Sequence, residues 1–135
     1  MAQAQDIYKT AGVTAHCQSF FDTIEVELAK ADFIISRAGA LSVSEIALMG
    51  KPTLFVPLAI AMDYHQMVNA QTLKSLGAAD ILPESEFTSD TVSHILERRL
   101  NDSHWLISAA SAAKQAAKPD AAAHLASLVS QLCQT

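Results

Sequence analysis

Three short stretches carry the residue types from which a site could be built. The first is RAGALSVSE, Arg37–Glu45. An apolar run ends at Ser36 and Arg37, and Gly39 then sits between two alanines. A glycine there permits close backbone approach or positive φ. A helix restarting at this turn presents free N–H groups and the positive end of its dipole, a natural seat for phosphate. Glu45 follows Ser42 by three residues. That spacing fits a capping box, in which Glu45 returns a hydrogen bond to the Ser42 backbone. It also fits a carboxylate accepting both hydroxyls of a ribose diol, because an ionised carboxylate is acceptor-only with two oxygens. Capping boxes are common, so spacing alone favours the first reading.

The second stretch, DYHQMVN, gathers Asp63, His65, Gln66 and Asn69 at the start of a helix. Amides and imidazole both donate and accept, which suits sugar hydroxyls. Gln66 and Asn69 are one turn apart and share a face. The plain alternative is a solvated helix start with Asp63 as N-cap. His65 has no second ligand at helical spacing, which argues against a metal. In the third stretch, SFFD, Phe20 and Phe21 close a predicted strand. One ring could wall a planar base, although packing of both into a core is the commoner arrangement. The chain contains no G-x-S-x-G elbow, no G-x-G-x-x-G and no G-x-x-x-x-G-K-[ST]. His16, His94, His104 and His124 are scattered and read as ordinary surface or core residues, and Met49, Met62 and Met67 as gap fillers.

The elements that must position these residues alternate. Thr14–Phe20 reads as a short strand and Asp22–Ala31 as a helix capped by Asp22. DFIISR reads as a buried strand. SVSEIALM reads as a helix stopped by Gly50 and Pro52. TLFVPL is a second buried strand, Asp63–Gly77 a longer helix and AADILP a brief strand. Thereafter the chain is helical: Thr88–Leu100, then an Ala-rich segment from Ser103, then a last helix after Pro119 with Asp120 as cap. Strands separated by helices predict βαβ units and a mostly parallel sheet of about four strands. In such sheets ligands bind beyond the carboxyl ends of the strands. The three stretches fall at such ends. So small a sheet also predicts an unpaired edge that invites self-association.

Composition bounds the rest. The 135 residues suit one domain, 1–135, and half of them are hydrophobic, enough for a core. A net charge of −5 argues against nucleic acid as a partner. No basic helix suggests a membrane surface, and no apolar run is long enough to span a bilayer. Cys17 and Cys133 are isolated thiols near opposite ends, as expected of a reducing cytoplasm. The N-terminal MAQAQDIYKT lacks the apolar core of a signal peptide.

Three blocks, ADFIISRAGALSVSEIALMGKPTLFVPL, HQMVNAQTLKSLGAADIL and KPDAAAHLASLV, resemble in order and spacing the MurG family of bacterial N-acetylglucosaminyl transferases of peptidoglycan synthesis. The likeness runs over almost the whole chain and is to the C-terminal domain. It implies an α/β, Rossmann-like sheet flanked by helices, part of the donor-binding domain of a two-domain GT-B enzyme. It implies UDP-N-acetylglucosamine as donor and lipid I as acceptor, with inversion, no metal and no cofactor. The parent enzyme would work at the cytoplasmic face of the inner membrane.

Position by position, the resemblance gives Glu45 the ribose hydroxyls. It gives Ala40, Leu41 and Ser42 the sugar and diphosphate through their backbone. His65 and Gln66 match a pair at the N-acetylglucosamine hydroxyls, where some relatives carry Gln-Gln. Phe20 and Phe21 match a pair at the uracil, and Asn69 a recurrent position. The acceptor domain with its catalytic histidine is missing, as are the glycine-rich stretch and arginine that grip the diphosphate. The resemblance therefore implies a fragment without catalysis of its own. A stand-alone subunit completed by a separate acceptor-domain polypeptide, as in two-subunit eukaryotic N-acetylglucosaminyl transferases, is the rival expectation.

Overall fold

The computed structural model describes residues 2–58 and 64–133, with the Tyr64 side chain left aside. Helix α1 spans Ala2–Thr10 and α2 Ile24–Lys30. Then follow β1 (Ile34–Ser36), α3 (Ala40–Met49), β2 (Thr53–Phe55), α4 (Tyr64–Ser75) and β3 (Ala79–Ile81). A 3-10 turn, Glu84–Glu86, leads to α5 (Ser89–Leu100), α6 (Ser103–Ala116) and α7 (Ala121–Leu132).

The sheet is parallel, in the order β1-β2-β3, with Ile34 opposite Thr53 and Thr53 opposite Ala79. Among the described residues it has three strands rather than about four. Thr14–Phe20 is irregular, because an extended segment becomes a strand only with a ladder partner, and no described strand pairs with it. Asp22 is not a cap either; α2 starts at Ile24 with Thr23 in the cap position and no side-chain bond there. The C-terminal end of α2 is held instead by Lys51, whose Nζ donates to the Ala29 carbonyl at 2.7 Å.

The central strand β2 is buried on both faces, as a parallel strand between two helical layers should be. Its Phe55 packs with Ile46 and Ala47 of α3, Ala70 and Leu73 of α4, and Ala113 of α6. Leu54 and Val56 face the other way, against Leu82, Phe33 and the α5 residues Val92 and Ile95. Helices α3, α4 and α6 thus cover one face and α5 the other. The Thr53 hydroxyl is fully buried but donates to the Lys51 carbonyl at 2.9 Å, so it is satisfied.

Helix α3 ends at Gly50, which takes a left-handed φ of 63°. Thr88 caps α5 and Asp102 caps α6 through their side chains. Asp120 sits at the α7 cap position without a side-chain bond. Within β3, Asp80 accepts from Arg99 Nε at 2.6 Å and Nη2 at 2.7 Å. The Arg99 guanidinium lies 4.0 Å from the Trp105 ring centre, tying β3, α5 and α6 together. No helix among the described residues is long and apolar enough to cross a membrane.

Candidate functional site

Helix α3 begins at Ala40, with Gly39 as its N-cap at φ −61° and ψ 147°. Ser42 is therefore the third residue of the helix and Glu45 the sixth, so the Ser42–Glu45 spacing is not a capping box. The reason is propensity: Ala40 and Leu41 are among the best helix formers, so the helix extends back until the glycine interrupts it. No side chain among the described residues caps this end. The first N–H groups of the helix, which have no intrahelical acceptor, are left to solvent or ligand.

Gly39 is needed here neither for positive φ nor for internal packing. A Cβ built on it would meet only Ser42 Oγ, at 3.8 Å. Its missing side chain leaves space on the open side of the turn. Glu45 is exposed and joins no hydrogen bond or ion pair among the described residues. The adjacent Ser44 is exposed too, its hydroxyl donating back to the Ala40 carbonyl of the same helix at 2.9 Å. Leu41 is 79% exposed, which leaves an apolar side chain in solvent beside this helix start.

The opening turn of α4 meets the same end of the sheet. Its two amides each hold the backbone of a different sheet connection. Gln66 Oε1 accepts from the Leu58 N–H at 3.2 Å, in the connection after β2. Asn69 Nδ2 donates to the Ala38 carbonyl at 3.2 Å, in the turn after β1. His65 is exposed beside them. Asp63, expected as the helix cap, lies outside the described residues. A cavity of about 540 Å³ lies between α3, α4 and the α6–α7 connection, and both Ala40 and Asn69 line it, with Lys118 and Pro119 on its far side.

Phe20 and Phe21 do not belong to the core. Phe20 is 76% exposed, and Phe21 is half-buried, with its ring edge-on to His16 at 5.6 Å between centres. Neither lines the cavity between α3 and α4.

Arg37, inside the same motif, is a tie between elements that its sequence context does not reveal. Its Nη1 donates to the Val56 carbonyl at 3.1 Å, and its Nη2 pairs with Glu84. It therefore ties the ends of β1 and β2 to the 3-10 turn after β3. The signal in the sequence was an arginine placed between a buried strand and a helix; its partners are 19 and 47 residues away and carry no local signature.

A parallel sheet with two helix starts gathered beyond its carboxyl ends is a Rossmann-like α/β arrangement, in which ligands bind outside those ends. The glycosyltransferase family 28 C-terminal domain model matches residues 2–125, and the chain belongs to that family. Its relatives include UDP-N-acetylglucosamine–N-acetylmuramyl-(pentapeptide) pyrophosphoryl-undecaprenol N-acetylglucosamine transferases. That of Maricaulis maris is 39% identical over 98% of this chain and 36% of its own length. That of Phenylobacterium zucineum is 41% identical over 97% of this chain and 36% of its own. The crystal structure of Acinetobacter baumannii MurG superposes with a TM-score of 0.87 at 35% identity, covering 96% of this chain and 38% of that one. The chain spans little more than a third of the length of these relatives.

Proposed function

We propose that residues 1–135 form one domain that binds UDP-N-acetylglucosamine as the donor part of an inverting N-acetylglucosaminyl transferase making lipid II from lipid I. The observation that carries this reading is the uncapped α3 N-terminus, left open by Gly39 and set beside the first turn of α4. A diphosphate seated there would meet N–H groups and the positive helix end. The same groups would stabilise the charge that develops on departing UDP. Glu45, one turn into the helix and with no hydrogen bond or ion pair among the described residues, would take the ribose hydroxyls. Ala40, Leu41 and Ser42 offer backbone, His65 and Gln66 side chains for the sugar, and Phe20 and Phe21 the base.

Acceptor recognition and the catalytic base belong to an N-terminal acceptor-binding domain. This chain alone binds donor and does not turn over. In the whole enzyme the site works at the cytoplasmic face of the membrane. The edge of β1, which has no second ladder partner among the described residues and leaves Ile35 half-exposed, favours self-association of the isolated chain.

Titration with UDP-N-acetylglucosamine, followed by amide NMR shifts with UDP-glucose as control, tests the reading. Shifts centred on Phe21, Gly39–Glu45 and His65–Gln66 are expected, and Glu45→Ala should weaken binding about tenfold or more with the fold intact. No shifts at millimolar ligand would refute donor binding by this chain.

A further inference from the structure

We infer that Asn69 is a positioning residue that holds the turn before α3 in place for the diphosphate, rather than a direct ligand of the sugar. The inference rests on the donor reading above and adds a division of labour within it. Ala38 is fully buried, yet its carbonyl lies between the end of β1 and the start of α3, where neither the sheet ladder nor the helix supplies a partner. No backbone N–H among the described residues reaches it. Asn69 Nδ2 does, at 3.2 Å across 31 residues of sequence. A buried carbonyl needs such a donor. The amide's orientation follows from its partner, because only its nitrogen can donate to an oxygen.

The bond acts on the residue next to Gly39. The Gly39 carbonyl in turn accepts the first helical bond of α3, from Val43 N–H at 2.9 Å. Asn69 thus fixes the direction in which the α3 N–H groups point, and it does so from α4. A direct sugar ligand would affect only ligands that carry the sugar. A positioning residue for the turn affects every ligand that carries the diphosphate, and by the same factor.

The experiment compares the wild-type chain with Asn69→Ala, using UDP and UDP-N-acetylglucosamine as separate ligands and amide hydrogen exchange at Val43 without ligand. The expected result is faster Val43 exchange in the variant and affinities for both ligands reduced together, by about fivefold, as the competent turn becomes less populated. Loss confined to UDP-N-acetylglucosamine would overturn the proposal and make Asn69 a sugar ligand. Unchanged affinities and unchanged Val43 exchange would overturn it outright. If the wild-type chain binds neither ligand, the donor reading fails on its own; the exchange measurement then decides the bracket, and unchanged exchange overturns it. Asn69→Asp, which keeps the shape but lacks the N–H donor at neutral pH, gives the same test should the alanine variant not fold.

Discussion

Gly39→Ala separates the fold from the function, because the structure predicts opposite outcomes for the two. The glycine has φ −61° and ψ 147°, a conformation alanine adopts without strain, and a Cβ there meets only Ser42 Oγ at an ordinary 3.8 Å. Losing a glycine restricts the unfolded chain and stabilises by about 0.4–1 kcal/mol. Alanine is a poorer N-cap than glycine, and that costs a similar amount, roughly 0.5–1 kcal/mol. The net change should stay within about 0.5 kcal/mol. For 135 residues, at about 2.1 cal/mol/K of unfolding entropy per residue, Tm should move by less than about 2 °C. Binding is different: the methyl group would occupy the space through which a diphosphate approaches the α3 N–H groups. A misplaced methylene-sized group in a site is worth about 1–3 kcal/mol, so donor affinity should fall about tenfold or more. Thermal melts and NMR titration of the same samples read both quantities. An unchanged affinity at unchanged Tm would show that no ligand comes to this turn. A loss of more than about 2 kcal/mol in stability would show that the turn cannot accept a methyl group, against the geometry described.

Two further predictions concern the frame around the site. Asp80→Ala removes both acceptors of the Arg99 guanidinium and leaves that cation half-buried under Trp105, so urea unfolding should report a loss of about 2–3 kcal/mol. Burial raises the Asp80 carboxyl, but the hydrogen bond and charge of Arg99, with Arg98 and Lys74, outweigh it and hold the group below its usual value. The pair therefore stabilises fully above the ordinary carboxylate pKa of about 4 and loses its effect as pH falls through the lowered native value; the gap between wild type and Asp80→Ala should close in acid. Gly50→Ala forces a Cβ onto a φ of 63° and to within 2.5 Å of Lys114 Cγ. It should cost about 1–2 kcal/mol in thermal melts, and adding Lys114→Ala should recover only the contact and not the backbone strain.

What could be read from the sequence divides along physical lines. The strands β1, β2 and β3 were legible because short apolar runs between helical stretches have few other uses. Gly50 and Thr88 were legible as helix boundaries because caps act within a few residues. Thr14–Phe20 misled because alternation is only a local condition for a strand, while the ladder partner is a distant one. The start of α3 was misplaced because a capping-box pattern competed with the helix propensity of Ala40 and Leu41, and propensity prevailed up to Gly39. The family blocks were legible as motifs, yet the work of Asn69 and Arg37 was not. Their hydrogen bonds run to backbone carbonyls, which have no identity in a sequence. Glu45 remained a candidate for the opposite reason: it bonds nothing among the described residues.

The order of the strands bears on how this unit comes into being. Ile34 pairs with Thr53, and Thr53 with Ala79, so each strand lies beside the next one made, joined by a single helix. Every pairing of the sheet closes a loop of fewer than thirty residues, and no pairing waits for a distant segment. Such a topology has low contact order for a parallel sheet, and its closure entropy is met in small steps. The three strands can therefore pair in chain order, each step bringing one more crossover helix onto the same face as α3. The bond that shapes the turn at Gly39, from Asn69 to the Ala38 carbonyl, lies within this same stretch and draws on none of α5, α6 and α7.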